Sequence, residues 1–270
     1  MVDKFEMWEW ISFALIGCFA GMSAGLLGLG GGLIIVPSLL LVFHWQGLPG
    51  QQVVHVAVAT SLMTITITSL SAMVAHQQHK NINWPVVRDL SPGLVMGGII
   101  GAYFATLLDG FLLQTCFAIY VLVVALRMWF PVTPLLNESL LKMPILLGVG
   151  NIIGMISAIV GIGGGSLTVP YMLMAKQSIK VAIGTAAACG FPISVAAVTG
   201  FVIFGQNNVT TSTDWLTGFV HWQAFLGIIG TSIIFAPLGA KLTKSLPVST
   251  LRRIFSMALL VVAVSLFVTT

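Results

Sequence analysis

"GLLGLGGGLIIVP" runs from Gly25 to Pro37 and sets five glycines inside a stretch, residues 10–43, that is otherwise apolar enough to cross a membrane. Glycine inside a helix costs roughly 0.5–1 kcal/mol relative to alanine, so such a cluster marks a deliberate break. Its copy decides the fold. Residues 21–37, "GMSAGLLGLGGGLIIVP", align without gaps on residues 154–170, "GMISAIVGIGGGSLTVP", with eight of 17 positions identical. Gly28 matches Gly161, the triplet Gly30-Gly31-Gly32 matches Gly163-Gly164-Gly165, and Pro37 matches Pro170. Downstream, "VAVATS" at 56–61 meets "VAIGTA" at 181–186, which pairs Thr60 with Thr185. Trp84 and Gly101-Ala102 then meet Trp222 and Gly239-Ala240. A repeat of this length reads as a duplication: two halves, about 8–130 and 143–270, within a single membrane domain over residues 1–270.

Composition places that domain in a bilayer. The chain is 57% hydrophobic and 7% charged, with a mean hydropathy of +1.05, whereas a soluble domain carries roughly 25% charged residues. A span needs about 20 apolar residues, and uncharged runs of that order recur near 10–43, 53–75, 90–108, 110–126, 143–175, 181–213, 215–240 and 254–270. The expected fold is an all-α integral membrane protein of about 8–10 helical segments. The net charge of +4 falls in short loops, which points to lipid headgroups and away from nucleic acid. Cys18, Cys116 and Cys189 lie scattered in apolar segments and read as reduced packing residues. The N-terminus, "MVDKFEMWEW", lacks a basic region, so no cleaved signal peptide is expected.

Charge decides how the halves are oriented. If each glycine segment crossed the bilayer as one broken helix, Lys4, Lys80, Arg88, Arg127 and Lys142 would face one side and the other six bases the opposite side. That even split ignores the positive-inside bias. If each segment enters and leaves on one face, each half makes an odd number of crossings and the second half is inverted. Ten of the eleven bases then share a side and only Lys4 faces away, with Asp3, Glu6, Glu9, Asp109 and Asp214 outside and Asp89 and Glu138 inside. Each inverted repeat is thus expected to be a Gly-tipped helical hairpin plus three transmembrane helices, with both termini outside. All seven tryptophans fall near span ends, where their rings favour the headgroup level.

Residues 10–43 would make about 50 Å of helix at 1.5 Å per residue, too long for one crossing. The second copy, 145–174, reads as arms of about 16 and 9 residues. Consecutive glycines permit a tight turn with positive φ, after which the second arm starts at Leu33 or Ser166. Its first N–H groups have no intrahelical partner and, with the helix dipole, form an anion site. The candidate binding residues are Gly30, Gly31, Gly32, Leu33, Gly163, Gly164, Gly165 and Ser166. Thr60, Thr64 and Thr68 share one helix face, so Thr60, Thr64 and Thr185 join them as hydroxyl donors, and His55 as a further contact. "GGIIGA" at 97–102 reads instead as packing glycine. No three or four histidines, cysteines or carboxylates converge in the sequence, so no metal is expected. No GxSxG or HExxH motif is present either, so neither enzymatic activity nor a cofactor is expected.

The paired "GLLGLGGGLIIVP" and "AIVGIGGGSLTVP" motifs, each opening one half of a chain of this length, resemble those of the TauE/SafE family of bacterial membrane permeases. The resemblance covers essentially the whole chain. It implies a multi-pass inner-membrane transporter of sulfite, sulfonates such as sulfoacetate, or related sulfur-containing anions. An inside-negative potential of 100 mV is worth about 2.3 kcal/mol per charge and drives anions outward, which favours export. The expected partners are the small anion and the bilayer, with a homodimer as a further candidate. A passive anion channel, and less readily a membrane enzyme or scaffold, are the alternatives.

Overall fold

The computed structural model describes the backbone of residues 2–28, 30–47, 50–129, 138–205, 215–242 and 248–269. Asp3, Lys4, Glu6, Glu138, Arg252 and Arg253, whose sides the charge count assigns, have side chains outside the described set, and Asp214 and Lys244 lie outside it altogether. Ten α-helices make up nearly all of the described chain: α1 Val2–Leu27, α2 Gly32–Trp45, α3 Gly50–Gln78, α4 Trp84–Leu107, α5 Gly110–Trp129, α6 Met143–Val160, α7 Gly165–Met174, α8 Ile179–Gly205, α9 Trp222–Leu242 and α10 Val248–Thr269. A 3-10 turn, Glu138–Leu141, precedes α6.

Seven of these helices, α1, α3, α4, α5, α6, α8 and α9, are long and apolar enough to cross a bilayer. The protein is a multi-pass membrane protein. Large side chains such as Phe104, Leu107, Phe111, Ile119 and Val264 stand exposed on the helix exteriors, as lipid contact requires. Trp45 and Trp129 end their helices, while Trp84 and Trp222 begin theirs. With 14 and 10 residues, α2 and α7 reach only about 21 and 15 Å, short of the roughly 30 Å core.

Three expectations need correction. The second hairpin's arms have 18 and 10 residues, not 16 and 9. Both second arms start one residue early, at Gly32 and Gly165, because only the first two glycines of each triplet stay outside the helix. The run 215–240 is not helical throughout: a two-stranded antiparallel ribbon, β1 Leu216–Thr217 with β2 Val220–His221, precedes α9.

Small residues decide which helices meet. In a bilayer, helices associate by close packing where side chains are small. Gly17, Gly21 and Gly25 of α1 lie against the backbone of Ile228, Ser232 and Ala236 of α9, rising together along both helices, so the two run parallel. Gly93, Gly97 and Gly101 of α4 lie in the same way against Leu147, Asn151 and Met155 of α6. The first helix of each half therefore packs on the fourth helix of the other. α3 and α8 pack between these pairs and run antiparallel, with Ser69 opposite Gly190. Each short arm has its own apolar bed: Leu33, Ile35, Leu39 and Phe43 of α2 belong to one buried cluster, and Met172 of α7 to another with Leu90, Leu146 and Ile193.

Candidate functional site

The two glycine turns meet. A Cβ built on Gly30 would lie 3.0 Å from Gly163 Cα, and one on Gly32 would lie 2.5 Å from Gly161 O. Ile65 of α3 closes over them, with its Cγ2 3.0 Å from a Cβ on Gly163. Gly31 and Gly164 are the N-caps of α2 and α7, and both are left-handed, with φ of 78° and 71°. A side chain at either would be strained by that backbone and would also collide, with Ala20 O at 2.9 Å or Ile193 Cδ1 at 2.5 Å. Neither turn has a side-chain cap. The first intrahelical bonds run from Ile34 and Ile35 N–H to Gly31 O, and from Leu167 and Thr168 N–H to Gly164 O. The N–H groups of Gly32, Leu33, Gly165 and Ser166 precede those bonds. Leu33 is itself buried. No Asp, Glu, Lys or Arg occurs between Glu9 and Lys80 or between Lys142 and Lys176, so both turns sit in uncharged surroundings. Ser61 of α3 donates from Oγ to Gly161 O at 2.8 Å and ties the second turn to the central helices.

The polar candidates on α3 and α8 lie elsewhere. Thr60 Oγ1 accepts the backbone N–H of His221 at 2.9 Å, just ahead of α9. Thr185 Oγ1 accepts the backbone N–H of Asn83 at 3.0 Å, just ahead of α4. Asn83 and His221 each precede a tryptophan shared by the two halves, and each caps its helix: Asn83 Oδ1 accepts from Val86 N–H at 3.4 Å, and His221 Nδ1 from Ala224 N–H at 3.3 Å. Ser69 faces Gly190 between antiparallel helices, which puts Thr60 and Thr185 about 20 Å apart at 1.5 Å per residue. The repeat pairs these two threonines in sequence, but the structure does not bring them together. Thr64 donates to Thr60 O at 2.8 Å and Thr68 to Thr64 O at 3.2 Å, both within α3. His55 Nε2 lies 3.1 and 3.0 Å from the carbonyls of Ala105 and Leu108. Two carbonyl acceptors require that nitrogen to carry the proton, so His55 fastens α3 to the end of α4, stacked on Phe219.

Some side chains at the second turn escape a search for identities between the copies. Ser157 and Thr168 are fully buried, and their hydroxyls have no hydrogen-bond partner among the described residues. Ser166 Oγ pairs with Tyr120 OH of α5 at 2.5 Å. The signal that finds Ser157, Ser166 and Thr168 is where the copies differ, because they replace Ala24, Leu33 and Ile35.

Residues 13–266 match the sulfite exporter TauE/SafE family. The chain belongs to that family. Among relatives, it is 35% identical over 255 residues to a probable membrane transporter protein of Haemophilus influenzae, covering 94% of this chain and 96% of the other. It is 24% identical to the probable membrane transporter protein YunE of Bacillus subtilis, covering 96% and 97% of the two chains. Another probable membrane transporter protein, from Methanocaldococcus jannaschii, is 29% identical and covers 90% of this chain and 89% of its own. No solved structure matches. A TauE/SafE protein with such relatives is a probable membrane transporter, and its two glycine turns lie against each other.

Proposed function

We propose that this TauE/SafE protein exports sulfur-containing anions, sulfite or small organosulfonates such as sulfoacetate, across a bacterial inner membrane. The anion binds where the two glycine turns meet, and access alternates between the two sides. The observation that carries this reading is the abutment of Gly30 and Gly163, which aims two uncapped helix N-termini at one uncharged region. Uncapped N–H groups and the positive end of the dipole favour an oxyanion, and opposed half-helices near mid-membrane are a recurrent substrate site in transporters built from inverted repeats. Gly30, Gly31, Gly32, Leu33, Gly163, Gly164, Gly165 and Ser166 supply the turns and amides. Thr60, Thr64, Thr185 and His55 act one layer out, where they hold the helices that support the turns.

Inversion of the halves is part of the proposal. It is supported by the parallel runs of α1 with α9 and α4 with α6, by antiparallel α3 and α8, and by the reciprocal caps Thr60–His221 and Thr185–Asn83. With Lys80 and Lys142 on the cytoplasmic face, both termini are periplasmic.

A ligand that binds the folded state raises its apparent stability. Purified protein melted with sulfite, thiosulfate, sulfate and short sulfonates is expected to gain several degrees with sulfite or a sulfonate and nothing with matched chloride. Equal melting temperatures across the whole panel would refute the assignment.

A further inference from the structure

Two hairpins of matching backbone do not make two matching sites. The last turn of α6 carries Ser157, whose carbonyl is used by the Ile162 N–H at 2.9 Å and whose hydroxyl is fully buried without a partner among the described residues. That hydroxyl lies 3.2 Å from the point where a Cβ on Gly164 would stand, so it is aimed at the N-cap of α7. Thr168, in the first turn of α7, has a second fully buried hydroxyl without a partner. Ser166 lies between them, its hydroxyl bonded to Tyr120. In the first hairpin the same three places hold Ala24, Leu33 and Ile35, all buried. A buried hydroxyl with nothing to bond is disfavoured by the full cost of its desolvation, so two at one helix start need a reason. The first hairpin shows that the fold does not require them.

We propose that the anion is held asymmetrically: Ser157 and Thr168 donate their hydroxyl protons to an oxyanion seated on the Gly165 and Ser166 amides, and the first hairpin serves as an apolar wall. This rests on the reading of the glycine turns as the anion site and narrows it to one of them. The recognised group is a compact oxyanion, sulfite or the sulfonate head, because all donors are neutral and two of them are amides of one helix start. An organic tail, where there is one, then points toward the apolar side.

The test pairs affinity with stability. Ser157→Ala and Thr168→Val remove a hydroxyl each and leave the shape nearly unchanged, and Gly148→Ala, where an added Cβ meets nothing within 4 Å, is the control on α6. Titration of purified protein with sulfite, and separately with ethanesulfonate, is expected to show each hydroxyl variant binding on the order of 10- to 100-fold more weakly. Gly148→Ala should bind as the parent does. In the absence of anion the hydroxyl variants should melt at or above the parent temperature, since each loses an unbonded buried group. Unchanged affinity in both variants, with the parent still binding, would overturn the asymmetric site and leave the glycine turns as the anion site, the hydroxyls then serving buried water. A lower melting temperature without ligand would also overturn it, because the hydroxyls would then be bonded within the protein. A parent that binds neither anion would refute the wider reading and this one together.

Discussion

His221 shows how one atom links a helix start to pH. Its Nδ1 accepts the Ala224 N–H, which only a neutral ring can do, and it lies just ahead of the α9 span with Phe43 at 5.1 Å and Phe13 at 6.5 Å. Burial pushes its pKa down to about 4 from the usual 6.5. The unfolded chain takes up a proton below pH 6.5 that the folded chain refuses until about pH 4, so stability rises with pH across that interval. The contribution is complete above pH 6.5, falls by up to about 3 kcal/mol toward pH 4, and is constant below. Melting curves between pH 4.5 and 7.5 should reveal this slope. His221→Asn, which installs the residue that caps α4, should keep the helix start and flatten the slope relative to the parent. An identical slope in the two proteins would remove His221 from the account. The sequence placed Thr60 and Thr185 as equivalents, and they are equivalents: each receives the amide ahead of a helix from the other half. That partner was not legible, because an identity between copies marks a shared environment and is silent on what fills it.

At the level of elements, the glycine stripes do most to set the packing. A Cβ on Gly97 would come within 2.0 Å of Asn151 O, whereas one on Gly148, on the same α6 that Gly97 packs against, would meet nothing within 4 Å. Gly97→Val is therefore expected to destabilise by at least about 2 kcal/mol, as overpacking does. Gly148→Ala should be neutral or stabilising by up to about 1 kcal/mol through helix propensity. Melting temperatures of the two purified variants, read by fluorescence-detected gel filtration, check the contrast; similar losses in both would show that close packing is not what these glycines provide. Small residues at four-residue spacing are readable in sequence as packing faces. The identity of the packing partner is not, since any small-residue face in a bilayer offers the same surface. The ribbon ahead of α9 was illegible for a related reason. "WLTGFVHW" at 215–222 is apolar enough to pass for span, and Gly218, at a φ of 55°, is what turns it.

For the whole molecule, topology is the property to measure. In a cysteine-free background, single cysteines at positions 80 and 178 are both expected to react with an impermeant thiol reagent from the cytoplasmic face only. Labelling of position 178 from outside would break the inverted arrangement. The number and type of helices were legible, because they depend on hydrophobicity summed over tens of residues. The lengths of the first arms were less so: α1 and α6, at 26 and 18 residues, are span-length, and each ends at a glycine turn.

Because α1 lies on α9 and α4 on α6, the first half has no complete interior of its own. During synthesis the glycine faces of α1 and α4 are made before their partners: Gly25 precedes Ala236 by 211 residues and Gly101 precedes Met155 by 54. Until then those faces have no protein partner to pack against. The candidate site, where Gly30 lies against Gly163, thus needs residues from both halves of the chain.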